Sequence, residues 1–143
     1  MSNYLDFSSA ESALHSLEEA YRRKDIEAVL ACKDFVAEAR LMVKRLGADS
    51  QDEQILSQTA GVLELAYRTH TLANWPQFDG VSSTVADLVP YDEGIFIATE
   101  VGTLNGRKFH QEIFMSQTEL GWRVLTPVPA GMKRKGKPWW RFW

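Results

Sequence analysis

The sequence feature that most constrains the fold is the dipeptide Asn105-Gly106, which separates two runs rich in β-branched residues. Both central positions of a two-residue type I′ turn need a positive φ, which asparagine and glycine tolerate. The dipeptide therefore predicts a tight antiparallel hairpin with a fixed register. The predicted cross-strand pairs are Val101 with His110, Thr99 with Glu112, Ile97 with Phe114, Ala98 with Ile113, and Phe96 with Met115. Because both faces carry apolar residues, helices are expected to cover one face, and the C-terminal tail or a second subunit the other.

Three amphipathic helices are predicted before the sheet, because apolar residues recur at every third or fourth position. The predicted N-caps are Ser8 or Ser9, Asp25, and Asp49 or Ser50. The second helix is predicted to run unbroken to Leu46, with Val36 on its apolar stripe, and the third to end before Trp75. The packing residues predicted for the third are Ile55, Leu56, Ala60, Val62, Leu63, Ala66 and Tyr67. Strands are predicted over residues 81–89, 95–101 and 122–128.

The length of 143 residues fits one domain, assigned to residues 1–130, followed by a tail at residues 131–143. An apolar fraction of 45% and a charged fraction of 24% are typical of a globular protein. No apolar run approaches the roughly 18 residues of a membrane span, and the N-terminus lacks a signal-peptide pattern. A cytoplasmic protein is therefore expected. The single cysteine, Cys32, lies on an apolar helical stripe and is interpreted as a buried structural residue.

The net charge of −3 is unevenly distributed. Residues 1–130 contain 19 acidic and 11 basic residues, a charge of −8, whereas the tail has five basic residues and no acid. The tail interleaves these cations with aromatic residues, which suits a cover for the second sheet face, a protein partner, or a nucleic acid or membrane surface. The first interpretation is favoured, and nucleic acid is disfavoured. The candidate partner contacts are Lys133, Arg134, Lys135, Trp139, Trp140 and Arg141.

The sequence lacks a glycine-rich phosphate loop, a nucleophile elbow and a metal-ligand spacing, so neither cofactor nor metal is predicted. His110 and Glu112 share one face of a strand, where an imidazole and a carboxylate can exchange a proton. Ordinary surface and packing roles are the favoured explanations for these residues and for Tyr21. The candidate pocket residues are Tyr21, Asp34, His110, Glu112 and Trp122.

Residues 21–30, at the first helix junction, and residues 121–124, Gly-Trp-Arg-Val, resemble the nuclear-transport-factor-2-like superfamily. Within that superfamily, residues 33–41 and 62–68 resemble the immunity proteins of bacterial polymorphic toxin systems. The resemblance extends to about Pro129. It implies an α+β, cone-shaped, cystatin-like roll in which three N-terminal helices pack on a curved antiparallel sheet around a central pocket.

The same resemblance implies a cytoplasmic protein that binds and neutralises a cognate toxin without catalysis. The acidic body is compatible with a basic toxin, since complementary charge steers association. Two alternatives remain open. One is a small-molecule binder or an isomerase- or dehydratase-like enzyme that uses the cone pocket, and the other is an accessory domain that forms a homodimer through its outer sheet face.

Overall fold

The computed structural model describes residues 4–128, which form four α-helices followed by a four-stranded antiparallel sheet. The helices are α1 (Ala10–Arg22), α2 (Ile26–Ala31), α3 (Phe35–Arg45) and α4 (Glu53–Ala73). The strands are β1 (Val81–Asp92), β2 (Ile95–Leu104), β3 (Arg107–Thr118) and β4 (Gly121–Pro127), in the order β1-β2-β3-β4. The α+β class predicted from the sequence is confirmed. No helix within residues 4–128 is long and apolar enough to cross a membrane.

The hairpin at Asn105-Gly106 joins β2 to β3 with the predicted register. Asn105 has a φ of 53° and Gly106 a φ of 82°, the left-handed values that a type I′ turn needs. All five predicted cross-strand pairs are present, from Phe96 with Met115 to Val101 with His110. The turn dipeptide therefore fixes which side chains share each face of the central strand pair.

The long second helix predicted from the sequence is wrong, because residues 32–34 interrupt it and divide it into α2 and α3. The interruption is bonded to β4: Val124 N donates to Cys32 O at 2.8 Å, and Asp34 N donates to Val124 O at 3.3 Å. Asp34 then caps α3 by accepting from Ala37 N at 3.0 Å. These tertiary bonds outweigh the helical periodicity, which continues through the interruption.

A buried ion pair lies at the same interruption. Lys33 Nζ lies 3.1 Å from Glu38 Oε2, and the two side chains are 5% and 15% exposed. Lys33 also donates to Leu125 O and lies over the ring of Tyr67. Burial lowers the pKa of Lys33 and raises that of Glu38, while their mutual attraction opposes both shifts. The pair therefore links the start of α3 to β4.

The change from α2 to α3 also brings helices to both faces of the sheet. Leu17 of α1 and Val29 of α2 pack in one cluster with Ile113. Leu41 of α3 packs in another cluster with Phe114. Phe114 follows Ile113 directly along β3, so its side chain points to the opposite face of the sheet. The expectation that helices cover only one face is therefore wrong. The predicted role of the tail in covering the second face lies outside the described residues.

Candidate functional site

A cavity of about 410 Å³ lies between α1, the C-terminal half of α4 and strands β1 to β3. This volume is within the range of small-molecule sites. Its largely apolar wall includes Tyr21, Tyr67, Phe78, Val81, Leu104 and Phe109. Three polar side chains from α1, β2 and β3 also line it, namely Glu18, Glu100 and Gln111. The cavity therefore combines an apolar wall with convergent polar groups, the usual composition of a ligand site.

Glu18 and Glu100 are both buried, at 5% and 2% exposure. Glu18 lies one turn after Leu14 on the buried side of α1, and Glu100 pairs with Gln111 across the hairpin. Glu100 accepts from Ser83 Oγ at 2.6 Å and from Gln111 Nε2 at 2.8 Å. Two fixed donors thus hold the Glu100 carboxylate inside the cavity.

Burial raises the pKa of Glu18 to about 9, and its hydrogen bond to Glu100 and the charge of Glu100 act in the same direction. The positive charge of Arg22 opposes the shift. Glu18 is therefore protonated at neutral pH and hydrogen-bonded to Glu100, so that the pair shares one proton. Such a pair has the chemistry to exchange a proton with a bound molecule or to pair with a cation.

Polar side chains of α1 hold this helix against β1 and the segment that precedes it. Arg22 Nε donates to Phe78 O at 3.2 Å, and Glu11 accepts from Val85 N at 2.8 Å. His15 Nε2 lies 2.9 Å from Ser83 O. These contacts fix the distance between α1 and the strand that supplies the Ser83 hydroxyl to Glu100.

An aromatic group closes one side of the cavity. The rings of Tyr21 and Phe78 stack at 5.1 Å and 12°, and Trp75 contacts Tyr21 edge-on at 6.5 Å. Tyr67 lies on the α4 side, where burial raises the pKa of its hydroxyl. Tyr67 is therefore a neutral wall residue at physiological pH.

Of the five predicted pocket residues, the structure places only Tyr21 in this cavity. Asp34 is the N-cap of α3 and accepts from Ser116 Oγ at 2.7 Å. Trp122 is buried in the core, where its ring lies 5.0 Å from that of Phe96. Asp34 and Trp122 therefore lie outside this cavity, and Asp34 lines a separate groove between α3 and α4. Capping and core packing account for their positions.

His110 and Glu112 share one sheet face as predicted, but that face is opposite to Gln111 and the cavity. His110 lines an open groove beside the hairpin, together with Val101 and Lys108. Glu112 is buried at 3% exposure. His110 and Glu112 therefore lie outside the cavity that contains Tyr21. The predicted contacts Lys133, Arg134, Lys135, Trp139, Trp140 and Arg141 lie outside the described residues.

Glu18 and Glu100 were not predicted as site residues, although each has a signal in the sequence. Glu18 stands on the apolar stripe of α1, between Leu14 and Tyr21, where a charged residue interrupts the pattern. Glu100 and Gln111 form the cross-strand pair that directly precedes Val101 and His110 in the predicted register. The helical pattern of α1 and the register of the hairpin therefore each place one acidic residue on a surface that faces the core.

A second candidate surface is the outer side of α4, where Ile55, Val62 and Ala66 are exposed although they were predicted to pack. The helix is capped by Asp52, not Asp49 or Ser50, and buries Leu56, Ala60 and Thr71. Seven of its exposed uncharged residues fall within about 120° of the helix circumference. We call them the α4 stripe: Ile55, Gln58, Val62, Leu65, Ala66, Thr69 and Leu72.

Residues 4–128 contain no group of three or more His, Cys, Asp or Glu side chains placed to hold a metal ion. No protein-family model, curated protein or solved structure matches the chain. The cavity and the α4 stripe are therefore interpreted from their own geometry.

Proposed function

We propose that this chain is a cytoplasmic, non-catalytic member of the nuclear-transport-factor-2-like superfamily that binds and neutralises a basic protein toxin. The observation that carries the proposal is the α4 stripe. Val62, Leu65 and Leu72 are 67%, 65% and 51% exposed on one side of a single helix. Exposed apolar surface of this continuity is characteristic of protein-binding sites. The sequence resemblance to immunity proteins supplies the class of partner.

The dimensions and composition of the α4 stripe fit a protein interface. From Ile55 to Leu72 it extends about 26 Å along the helix, at 1.5 Å per residue. None of its seven members is charged. Charged residues are depleted from the centres of protein interfaces and enriched at their rims. Glu64 and Arg68 lie on the adjacent helix surface, where they are placed to form such a rim.

The charge of the body supports a basic partner. All 19 acidic residues of the chain lie within residues 4–128, against 11 basic residues, for a charge of −8. A surface of this sign steers a positively charged protein into contact and disfavours acidic competitors. The apolar α4 stripe then supplies contact area that this long-range attraction does not provide.

The proposal predicts that the chain co-purifies with a toxin encoded beside its gene and restores growth when the two are co-expressed. The adjacent gene to test is one that encodes a large secreted protein with a variable C-terminal toxin domain. Binding is measured by calorimetry with a catalytically inactive toxin variant. Failure of every neighbouring toxin-like product to bind at about micromolar concentration would contradict the proposal.

Val62→Asp combined with Leu65→Asp is expected to weaken toxin binding by about tenfold or more, because it places two charges in the centre of the α4 stripe. Both side chains are exposed, so the free energy of unfolding is expected to change little. The control is Leu46→Asp with Leu120→Asp, which changes the charge equally at exposed leucines outside α4. Equal loss of binding in both double variants would exclude the α4 stripe as the contact surface.

The competing occupant of the α4 stripe is a second copy of the chain, which would make the protein a dimeric accessory domain. Sedimentation at several protein concentrations separates the two cases. A toxin-binding monomer agrees with the proposal. A dimer that Val62→Asp with Leu65→Asp dissociates, and that binds no toxin, would replace it.

The Glu18–Glu100 pair favours a second candidate function, namely small-molecule binding in the cavity with isomerase- or dehydratase-like proton transfer as its catalytic form. A carboxyl group with a pKa of about 9 beside a second carboxylate is an unusual and specific arrangement for a wall of this kind. A proton-transfer activity that is lost on Glu18→Gln and retained by His110→Ala would establish the catalytic form. Activity lost on His110→Ala instead would exclude Glu18 as the acting group.

A further inference from the structure

The cavity contains a negative charge that no lysine or arginine of its described lining offsets. Glu100 is buried, and its hydrogen-bond donors, namely Ser83, Gln111 and protonated Glu18, are all neutral. Within residues 4–128, the lining of the cavity includes no lysine or arginine. A buried charge is costly unless an opposite charge or strong donors accompany it. The site is therefore suited to a positively charged occupant.

The apolar part of the lining selects the body of that occupant. Tyr21, Tyr67, Phe78 and Phe109 contribute aromatic surface, and Leu104 adds aliphatic surface. Aromatic rings attract cations through their faces and also bury apolar groups favourably. An occupant with one charged end and an apolar or aromatic body would match both parts of the wall.

We propose that the cavity binds an organic cation, an ammonium group attached to an apolar or aromatic body, with the ammonium between Glu18 and Glu100. An ammonium group donates up to three hydrogen bonds, and two carboxylates accept them. An anion would be repelled, and a neutral molecule would leave the charge of Glu100 unpaired. This inference deepens the second candidate function and does not depend on toxin binding.

Binding of a cation is expected to release the proton of Glu18, because a nearby positive charge favours the ionised form of that carboxyl group. Affinity should therefore rise with pH toward the pKa of Glu18, about 9. The groups around this proton are Arg22 from α1, Tyr67 and His70 from α4, Ser83 from β1, Glu100 from β2 and Gln111 from β3. Proton release is read by calorimetry in two buffers of different ionisation enthalpy.

The test uses three probes of similar size on the full chain: 2-phenylethylammonium, 2-phenylethanol and 3-phenylpropionate. Calorimetry at about pH 7.5 is expected to show the ammonium binding about tenfold or more tightly than the alcohol, and no binding of the acid. If the alcohol binds as tightly as the ammonium, the cavity takes small molecules but the cation inference is wrong. If none of the three binds, both the inference and the second candidate function are contradicted.

Glu100→Gln is expected to weaken ammonium binding by about tenfold and to leave alcohol binding within about twofold, since it removes charge but little volume. Glu18→Gln is expected to abolish proton release on binding. Glu19→Gln is the matched control, because Glu19 is outside the cavity and pairs with Arg22 and Arg23. The wild-type comparison of the three probes decides the question even if Glu100→Gln fails to fold. Unchanged ammonium affinity in a folded Glu100→Gln variant would overturn the proposal.

Discussion

Glu38→Ala is expected to lower the free energy of unfolding by about 3 kcal/mol, because it leaves Lys33 buried without its carboxylate. The Lys33 side chain is 5% exposed and lies 3.1 Å from Glu38. Its lowered pKa allows it to lose its proton at a smaller cost than a fully solvated lysine, which limits the effect. Urea unfolding at neutral pH, followed by circular dichroism, measures the change.

The control for this prediction is Glu64→Ala, which removes a half-exposed carboxylate 4.0 Å from Arg68. An exposed ion pair contributes about 0 to 1 kcal/mol, so a small change is expected. The double variant Lys33→Met with Glu38→Leu is expected to recover most of the lost stability, because apolar residues can replace a buried ion pair. A loss below about 1 kcal/mol for Glu38→Ala would show that the pair contributes little to holding α3 on β4.

Glu18→Gln is expected to remove a strong pH dependence of stability. Glu18 titrates near 4.5 in the unfolded chain and near 9 in the folded one. Between these values only the folded state keeps the proton, so its stabilising contribution is complete below about pH 4.5 and is lost as pH rises to about 9. Between pH 6 and pH 8, the free energy of unfolding of the wild type should therefore fall by up to about 3 kcal/mol more than that of Glu18→Gln.

Urea unfolding at about pH 6, 7 and 8 checks this prediction. Glu19→Gln is the control, since the pKa of Glu19 is lowered by Arg23 and Arg22 and both of its states are ionised across this range. The histidines are common to all three proteins and cancel in the comparison. Parallel profiles for the wild type and Glu18→Gln would show that Glu18 is not held protonated by the fold.

The sheet could be predicted from the sequence largely because one local signal determines it. The Asn105-Gly106 turn sets the pairing of Phe96 with Met115, and period-two alternation then assigns each side chain to a face. The helices were less predictable because their boundary depends on distant groups. Asp34 ends the continuity of the second helix only through its contacts with Val124 and Ser116, which periodicity does not contain.

The candidate site also divides into residues that a local pattern predicts and residues that depend on distant contacts. Tyr21 was predicted to line a pocket, and it lies in the cavity at the end of the apolar stripe of α1. His110 and Glu112 were correctly assigned to one face, but the position of α1 decides which face the cavity uses. Predicting Glu18 as a site residue requires two observations together: an acid on a buried helix stripe, and a second acid that faces it across the fold. The helix pattern and the strand pattern, taken separately, do not predict that Glu18 and Glu100 lie in contact.

The exposure of Val62 and Ala66 was missed because amphipathic periodicity identifies apolar positions without saying what covers them. In α4 the side bearing Leu56 and Ala60 packs on α3, and no other element described within residues 4–128 covers the opposite side. An apolar residue at a helical position is therefore evidence for burial only when a second element is available.

The buried thiol of Cys32 makes the chain convenient for chemical mapping of its contacts. Cys32 is the single cysteine, is fully buried, and has a pKa raised by burial to about 12. Thiol-directed reagents attack the thiolate, so they are expected to leave the folded wild type unmodified. A cysteine introduced at Leu65 or at Leu120 would then be the one reactive position, and a photo-crosslinker attached there would report which surface touches another protein.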